Sequence, residues 1–315
     1  MFIILLCDTS GTRYIPLMAP EVIRNLYKAQ GVFRCHHPAH RQFDHEVSPY
    51  HVLAVKRCYP QGCVEFLWRC RTLEKGHPCP RKFKHVGRGC FSCKEYHEDK
   101  LIYAPETSLA EDEIKEFIDE LHQYEGWLES MEGKTIEFSG TVDAITPHFQ
   151  MRMEERKSAV TMDGFYVSFA KGYIGRDLFD DRIYLKMSGN LLVKTRLAPD
   201  AKIDCRAIFS SSRGRIILRN PRQIEIQENG SRRHINVSRA LVGRATGKII
   251  RGPITDCADC PYISLVDVED ARRHQAVFYR RFYCLRGVED SENCPVRLSQ
   301  LLPGFQAQAN HVRRF

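Results

Sequence analysis

At 315 residues the chain is too long for one small core, and two or three domains are expected. Its 43% hydrophobic and 27% charged residues are the proportions of a soluble globular protein, and the apolar start Met1–Leu6 is far too short to cross a bilayer, so no membrane association is expected. The formal charge of +8 is uneven: residues 1–104 carry +7 (16 Lys/Arg, 9 Asp/Glu), 105–133 carry −9 (1 and 10), 134–230 carry +4 (16 and 12) and 231–315 carry +6 (14 and 8). Three basic segments favour a polyanion as partner, of which nucleic acid is the commonest.

Phe2–Cys7 reads as a buried strand and Asp8–Gly11 as the turn after it. No basic leader or cleavage site accompanies this start, so the cytoplasm is expected, where thiols stay reduced. Ala19-Pro20-Glu21 opens a short helix carrying Val22, Ile23, Leu26 and Tyr27, with Gly31 as its stop. From Gln30 to Tyr96 the chain is rich in Cys, His, Arg and Gly, with short strands at Val52–Lys56 and Val64–Trp68. Ser108 and Glu111 suit a capping box that starts a helix running to about Met131. Ile114, Phe117, Ile118, Leu121 and Leu128 form its apolar stripe; its acidic face suits a solvated connector that can also meet a protein partner.

Residues 134–227 alternate as strands do. Strands are expected at Thr135–Ile145, continuing through Phe149–Met153, and at Gly164–Ile174, Arg182–Met187 and Lys202–Ser210. A fifth covers Arg215–Arg219 and Gln223–Ile226 across Pro221, after a hairpin turn at Ser212-Arg213-Gly214, and Leu191–Leu197 is a short helix or loop. Period two places Phe165, Val167, Phe169, Ile183, Leu185, Met187 and Cys205 on the core side. Tyr166, Arg182, Tyr184 and Lys186 fall on the other side, with Lys171 and Arg176 near the intervening loop and Arg213 and Arg215 in the last hairpin. Rings stack on bases and cations follow phosphates, so these eight residues suit a single-stranded nucleic acid. Residues 228–240 read as a polar linker, Arg239–Ile250 as the start of a strand pair, and the tail beyond Gly304 as loose.

A long first strand, two more, a connector and a closing hairpin resembles the OB-fold, the five-stranded Greek-key barrel. Leu197-Ala198-Pro199-Asp200-Ala201-Lys202-Ile203 and Leu218-Arg219-Asn220-Pro221 carry the same resemblance, which covers about a third of the chain. It implies binding through strands two and three and their flanking loops.

Eleven of the thirteen cysteines lie in two clusters at opposite ends. Cys257-x2-Cys260 joins Cys284 and Cys294, and Cys70 and Cys79 join Cys90-x2-Cys93. A C-x2-C turn points two sulfurs into one cavity and backbone N–H groups at the sulfurs. Four thiolates make a tetrahedral zinc cage or the corners of a 4Fe–4S cluster. Cys35, Cys58 and Cys63 with one of the nearby histidines suit a further zinc site, or pack as core thiols. The histidines favour zinc at the N-terminal end; the C-terminal set stays open between zinc and iron–sulfur.

The expected protein is mainly β with some α. A Cys/His-rich metal-binding domain spans 1–104, an acidic connector helix 105–133, an OB-like barrel 134–228 and a four-cysteine metal-binding domain 229–315. The expected role is a cytoplasmic, non-enzymatic binder of single-stranded DNA or RNA within a larger complex. An iron–sulfur redox or sensing protein and a metal-stapled protein scaffold are the alternatives. No phosphate loop, G-x-G-x-x-G turn or H-E-x-x-H helix is present, and Asp177, Asp180 and Asp181 read as a solvated loop.

Overall fold

A computed structural model describes residues 20–231, 235–251, 257, 260, 262–272 and 276–296. The strand expected at Phe2–Cys7, the turn after it and the tail beyond Gly304 lie outside these residues. The fold is mainly β with a few helices. Among the described residues no helix is long and apolar enough to cross a membrane.

The N-terminal elements are small. β1 (Val22–Ile23) and a 3-10 turn at Leu26–Lys28 stand where a short helix is expected. Tertiary pairing overrides local preference here: Val22 and Ile23 pair in parallel with Leu178 and Phe179. Asn25 then donates its amide to Asp181 at 2.7 Å and to the Gly214 carbonyl at 3.1 Å. β2 (Phe33–Arg34) and β3 (Glu46–Val47) pair antiparallel. A π-helical turn at Tyr50–Val55, with Val52 inward, replaces the strand expected at Val52–Lys56. β4 (Cys63–Cys70) runs into a single helical turn, α1 (Arg71–Glu74), and a long loop returns as β5 (Tyr96–Tyr103). The two strands form an antiparallel ribbon from Cys63 opposite Tyr103 to Cys70 opposite Tyr96. β6 (Glu106–Thr107) closes back on β2.

α2 (Glu111–Met131) starts later than the expected capping box. Glu113 accepts from the Ala110 N–H at 2.8 Å, while the Ser108 hydroxyl donates to the Gly31 carbonyl instead. The helix bridges two cores. Ile114 joins Val32, Phe33, Cys35, Val47, Val52 and Cys58, whereas Leu121, Tyr124 and Leu128 join the β-rich core that follows. Trp127 stacks between Tyr124 and Phe179.

The next strands are β7 (Thr135–Met153), β8 (Ser158–Ile174), β9 (Asp177–Phe179) and β10 (Ile183–Met187). Helix α3 (Gly189–Thr195) follows, capped by Ser188 on the Leu191 N–H at 3.2 Å. β11 (Lys202–Ile208), β12 (Ser211–Ser212) and β13 (Arg215–Glu228) complete the set. The sheet closes on itself in the order β7-β8-β10-β13-β11-β7. β10 and β13 pair in parallel and the other neighbours antiparallel. Register shifts near Gly140, Val142 and Ala144 bend β7 where it serves both β11 and β8. Gly172 is required here: a Cβ there would stand 2.5 Å from the Phe138 ring. Phe165, Val167, Phe169, Ile183, Leu185 and Met187 fill the interior, and Cys205 is buried with them. The core-side assignment drawn from alternation therefore holds.

β7 and β8 are longer than the ring, and their far halves leave it. Asn236 accepts from the Arg239 N–H at 2.9 Å and starts α4 (Val237–Thr246), a helix where a linker and strand pair are expected. Ala240 and Gly243 give it a buried face. β14 (Lys248–Ile249), β15 (Ile263–Asp270) and β16 (Val277–Cys284) follow. β15 adds in parallel to the far half of β7, from Leu265 opposite His148 to Asp270 opposite Met153. Phe149, Met151, Val266, Val268 and Tyr283 form the core of this extension.

Candidate nucleic-acid interface and thiol clusters

Five of the eight residues expected to bind nucleic acid come together on the outer face of β8, β10 and the start of β13. Tyr166 and Tyr184 meet edge to face with ring centres 5.7 Å apart. The Arg215 guanidinium lies 5.5 Å from the centre of the Tyr184 ring. Lys186 pairs with Asp163 at 2.5 Å, and Arg213 lies 3.6 Å from Asp267. The other three stand apart. Lys171 and Arg176 are exposed at the far end of β8, beside the exposed Tyr173, and Arg182 pairs with Asp143 at 3.2 Å.

The far half of β7 and the hairpin β15–β16 bring residues to this face that alternation along one strand does not reveal. His148 is buried, with Nε2 donating to Asp267 Oδ2 at 3.0 Å and Nδ1 3.4 Å from Asp163 Oδ2. Its ring centre is 4.5 Å from that of Tyr166. Arg280 grips Asp267 with Nε at 2.7 Å and Nη2 at 3.2 Å, a forked pair. Burial opposes ionisation of Asp267, but the hydrogen bonds from His148 and Arg280 outweigh it and hold the carboxyl well below the ordinary carboxylate range. Burial also raises the Tyr166 hydroxyl and pulls the Arg215 guanidinium down from its ordinary value. Four cations (Lys186, Arg213, Arg215, Arg280) thus surround two carboxylates (Asp163, Asp267) under two tyrosines. The surplus of cations can meet phosphates, and the rings can meet bases.

Cys70, Cys79, Cys90 and Cys93 line one small cavity beside His85 and Tyr96. Tight turns present them. The Cys79 carbonyl accepts from Lys82, whose φ is +61°, and Cys90 from Cys93, each at 2.8 Å. The C-terminal set repeats the device. The Cys257 carbonyl accepts from Cys260 at 3.1 Å and Cys284 from Gly287 at 3.1 Å, with Gly287 at φ +74°. Burial raises the Cys260 thiol, a hydrogen bond from the Tyr262 backbone opposes this, and the nearby Cys284 and Cys294 sulfurs add to it. Cys35 and Cys58 are buried in the N-terminal core with Cys63 against them. Burial pushes the Cys58 thiol up to about 11, with a hydrogen bond to Cys63 and the charges of Cys63 and Cys35 contributing.

Among the described residues no group of three or more His, Cys, Asp or Glu side chains converges tightly enough to hold a metal ion. The donor chemistry nonetheless fits one: four thiols around one cavity suit a four-thiolate site. Near Cys35 stands a half-buried histidine, His40. The His40 Nδ1 is buried with no hydrogen-bond partner, on a 3-10 turn that starts three residues after Cys35. Comparison with protein-family models, curated proteins and solved structures gives no match.

Proposed function

We propose that the protein is a non-enzymatic binder of single-stranded nucleic acid, built on an OB-fold barrel and stapled at both ends by metal–thiolate sites. The observation that carries this reading is the cluster of Tyr166, Tyr184 and Arg215 on the second, third and fifth ring strands, with cations in excess around it. The strand order, the parallel pairing of β10 with β13 and the helix between the third and fourth ring strands support the OB-fold assignment. Zinc would be held by Cys70, Cys79, Cys90 and Cys93, and by Cys35, Cys58, Cys63 and His40. Cys257, Cys260, Cys284 and Cys294 make the third set, for zinc or a 4Fe–4S cluster. Bound there, the metal supplies folding stability to ends whose own cores are small. The reducing cytoplasm suits such thiols, and a larger complex suits a chain with an acidic helix face.

The test is binding of the metal-loaded chain to a fluorescent single-stranded oligonucleotide across a salt series. Affinity should fall linearly on a log–log plot, with a slope of about −0.7 for each phosphate contacted. Lys186→Glu and Arg213→Glu should each weaken binding and flatten that slope. No binding at low salt would defeat the proposal. Metal content and an absorption spectrum decide the C-terminal set: a colourless protein with stoichiometric zinc removes the iron–sulfur reading.

A further inference from the structure

The ribbon of β4 and β5 holds a face that the ring does not account for. Along β4, Val64, Phe66 and Trp68 point outward to solvent, while Glu65, Leu67 and Arg69 are partly covered on the other side. In register across the ribbon stand Ile102, Lys100 and Glu98. Phe91, from the loop, meets Trp68 edge to face at 5.0 Å and Tyr96 at 5.2 Å. Between 40% and 55% of Phe66, Trp68, Phe83 and Phe91 is exposed. Large rings left this open on the ribbon and its loop are costly unless something covers them.

The charge around them says what does. The loop 75–94 contains Lys75, Arg81, Lys82, Lys84, Arg88 and Lys94, all exposed, and no Asp or Glu. Arg81 lies 4.9 Å from the centre of the Phe83 ring. Glu98, the carboxylate on the aromatic face, accepts the Tyr96 hydroxyl. Rings in a row, fringed by cations, match a chain whose every unit offers a flat base and a phosphate. We infer that this ribbon is a second single-strand-binding surface, with Trp68 and Phe66 stacking on bases and the loop cations following the backbone. The ring tyrosines are half-buried, against His148 and Arg215, so the ribbon is the more open of the two surfaces. The inference rests on the proposed nucleic-acid binding and locates a further part of it.

The chain has two tryptophans, Trp68 and Trp127, and Trp127 is packed against Tyr124, Phe179 and Phe209. Emission changes on adding an oligonucleotide therefore report Trp68. Titration of the metal-loaded full chain with a single-stranded oligothymidylate at low salt should quench this emission. Trp68→Phe keeps a stacking ring, so it should bind within about threefold of the parent but lose most of the quench. Trp68→Ala and Phe66→Ala should each weaken binding roughly 5- to 150-fold, the loss expected from one base–aromatic stack, with metal content and circular dichroism unchanged. Parental affinity in both alanine variants, or binding by the parent chain with no emission change, overturns the ribbon surface; if Lys186→Glu still weakens binding, the proposed function survives that result. Absence of binding in the parent chain as well overturns both.

Discussion

Asp267 ties the two strands of the C-terminal hairpin to each other through Arg280 and to β7 through His148, and replacing it with Asn tests that clasp. The carboxylate accepts from Arg280 twice and from the buried His148 once. A hydrogen bond to a charged group contributes about 1.5–3 kcal/mol. Breaking a fully buried pair costs about 3–5 kcal/mol. The Asp267 side chain keeps 29% of its exposure and that of Arg280 keeps 15%, so the clasp is only partly withdrawn from water. Asp267→Asn should therefore cost about 2–3 kcal/mol, below the fully buried figure. At 2–4 °C per kcal/mol, this lowers Tm by roughly 4–12 °C. The pH dependence follows from the depressed carboxyl. Its stabilisation is fully present above the unfolded value of about 3.9 and is lost as pH falls through the lower folded value. The gap between parent and variant in urea unfolding should thus be widest near neutrality and shrink below about pH 4. A double-mutant cycle of Asp267→Ala with Arg280→Ala should show coupling of about 0.5–3 kcal/mol. A cost under about 0.5 kcal/mol, or a gap unchanged in acid, refutes the reasoning.

Gly164 has φ +86°, and a Cβ there would stand 2.3 Å from the Met187 carbonyl oxygen. Gly164→Ala should cost about 3 kcal/mol or more, since left-handed strain adds to a backbone clash; a midpoint within error of the parent refutes it. Burial, with Asp204 nearby, pushes the Cys205 thiol up to about 12. Cys205 should stay unalkylated by iodoacetamide at pH 8 in the folded protein and react on unfolding, as mass spectrometry would show; fast native labelling counts against the placement. Chelation under reducing conditions should lower the unfolding midpoint and expose thiols at Cys35, Cys58 and Cys63, followed by labelling and mass spectrometry. Full metal removal with an unchanged midpoint rejects the stapling role.

The ring interior was legible from the chain because its signal is local. Phe165, Val167 and Phe169 alternate over five residues, and the pleat alone assigns their face. The outward Tyr166 and Tyr184 follow from the same rule. The partners that half cover them do not, because His148 and Asp267 meet across 119 residues and parallel pairing of β7 with β15 leaves no mark on either strand. Val22–Ile23 shows the same limit: helical spacing is present, but pairing with β9 wins. Around Val237–Thr246 the Gly, Thr and Val residues weaken the helical signal, and the Asn236 cap decides it. Cysteine spacing points to thiol clusters, while the buried Nδ1 of His40 leaves no mark in the sequence.

The shared length of β7 carries a consequence for synthesis. Ribosomes deliver residues 135–228 well before Ile263–Asp270. During that interval the ring has all its strands, yet the outer edge of β7 from His148 to Met153 has no neighbour. Phe149 and Met151, buried in the finished protein, then lie open on a bare strand edge. A chain truncated before Ile263 is therefore expected to associate along that edge, which the hairpin β15–β16 covers in the finished protein.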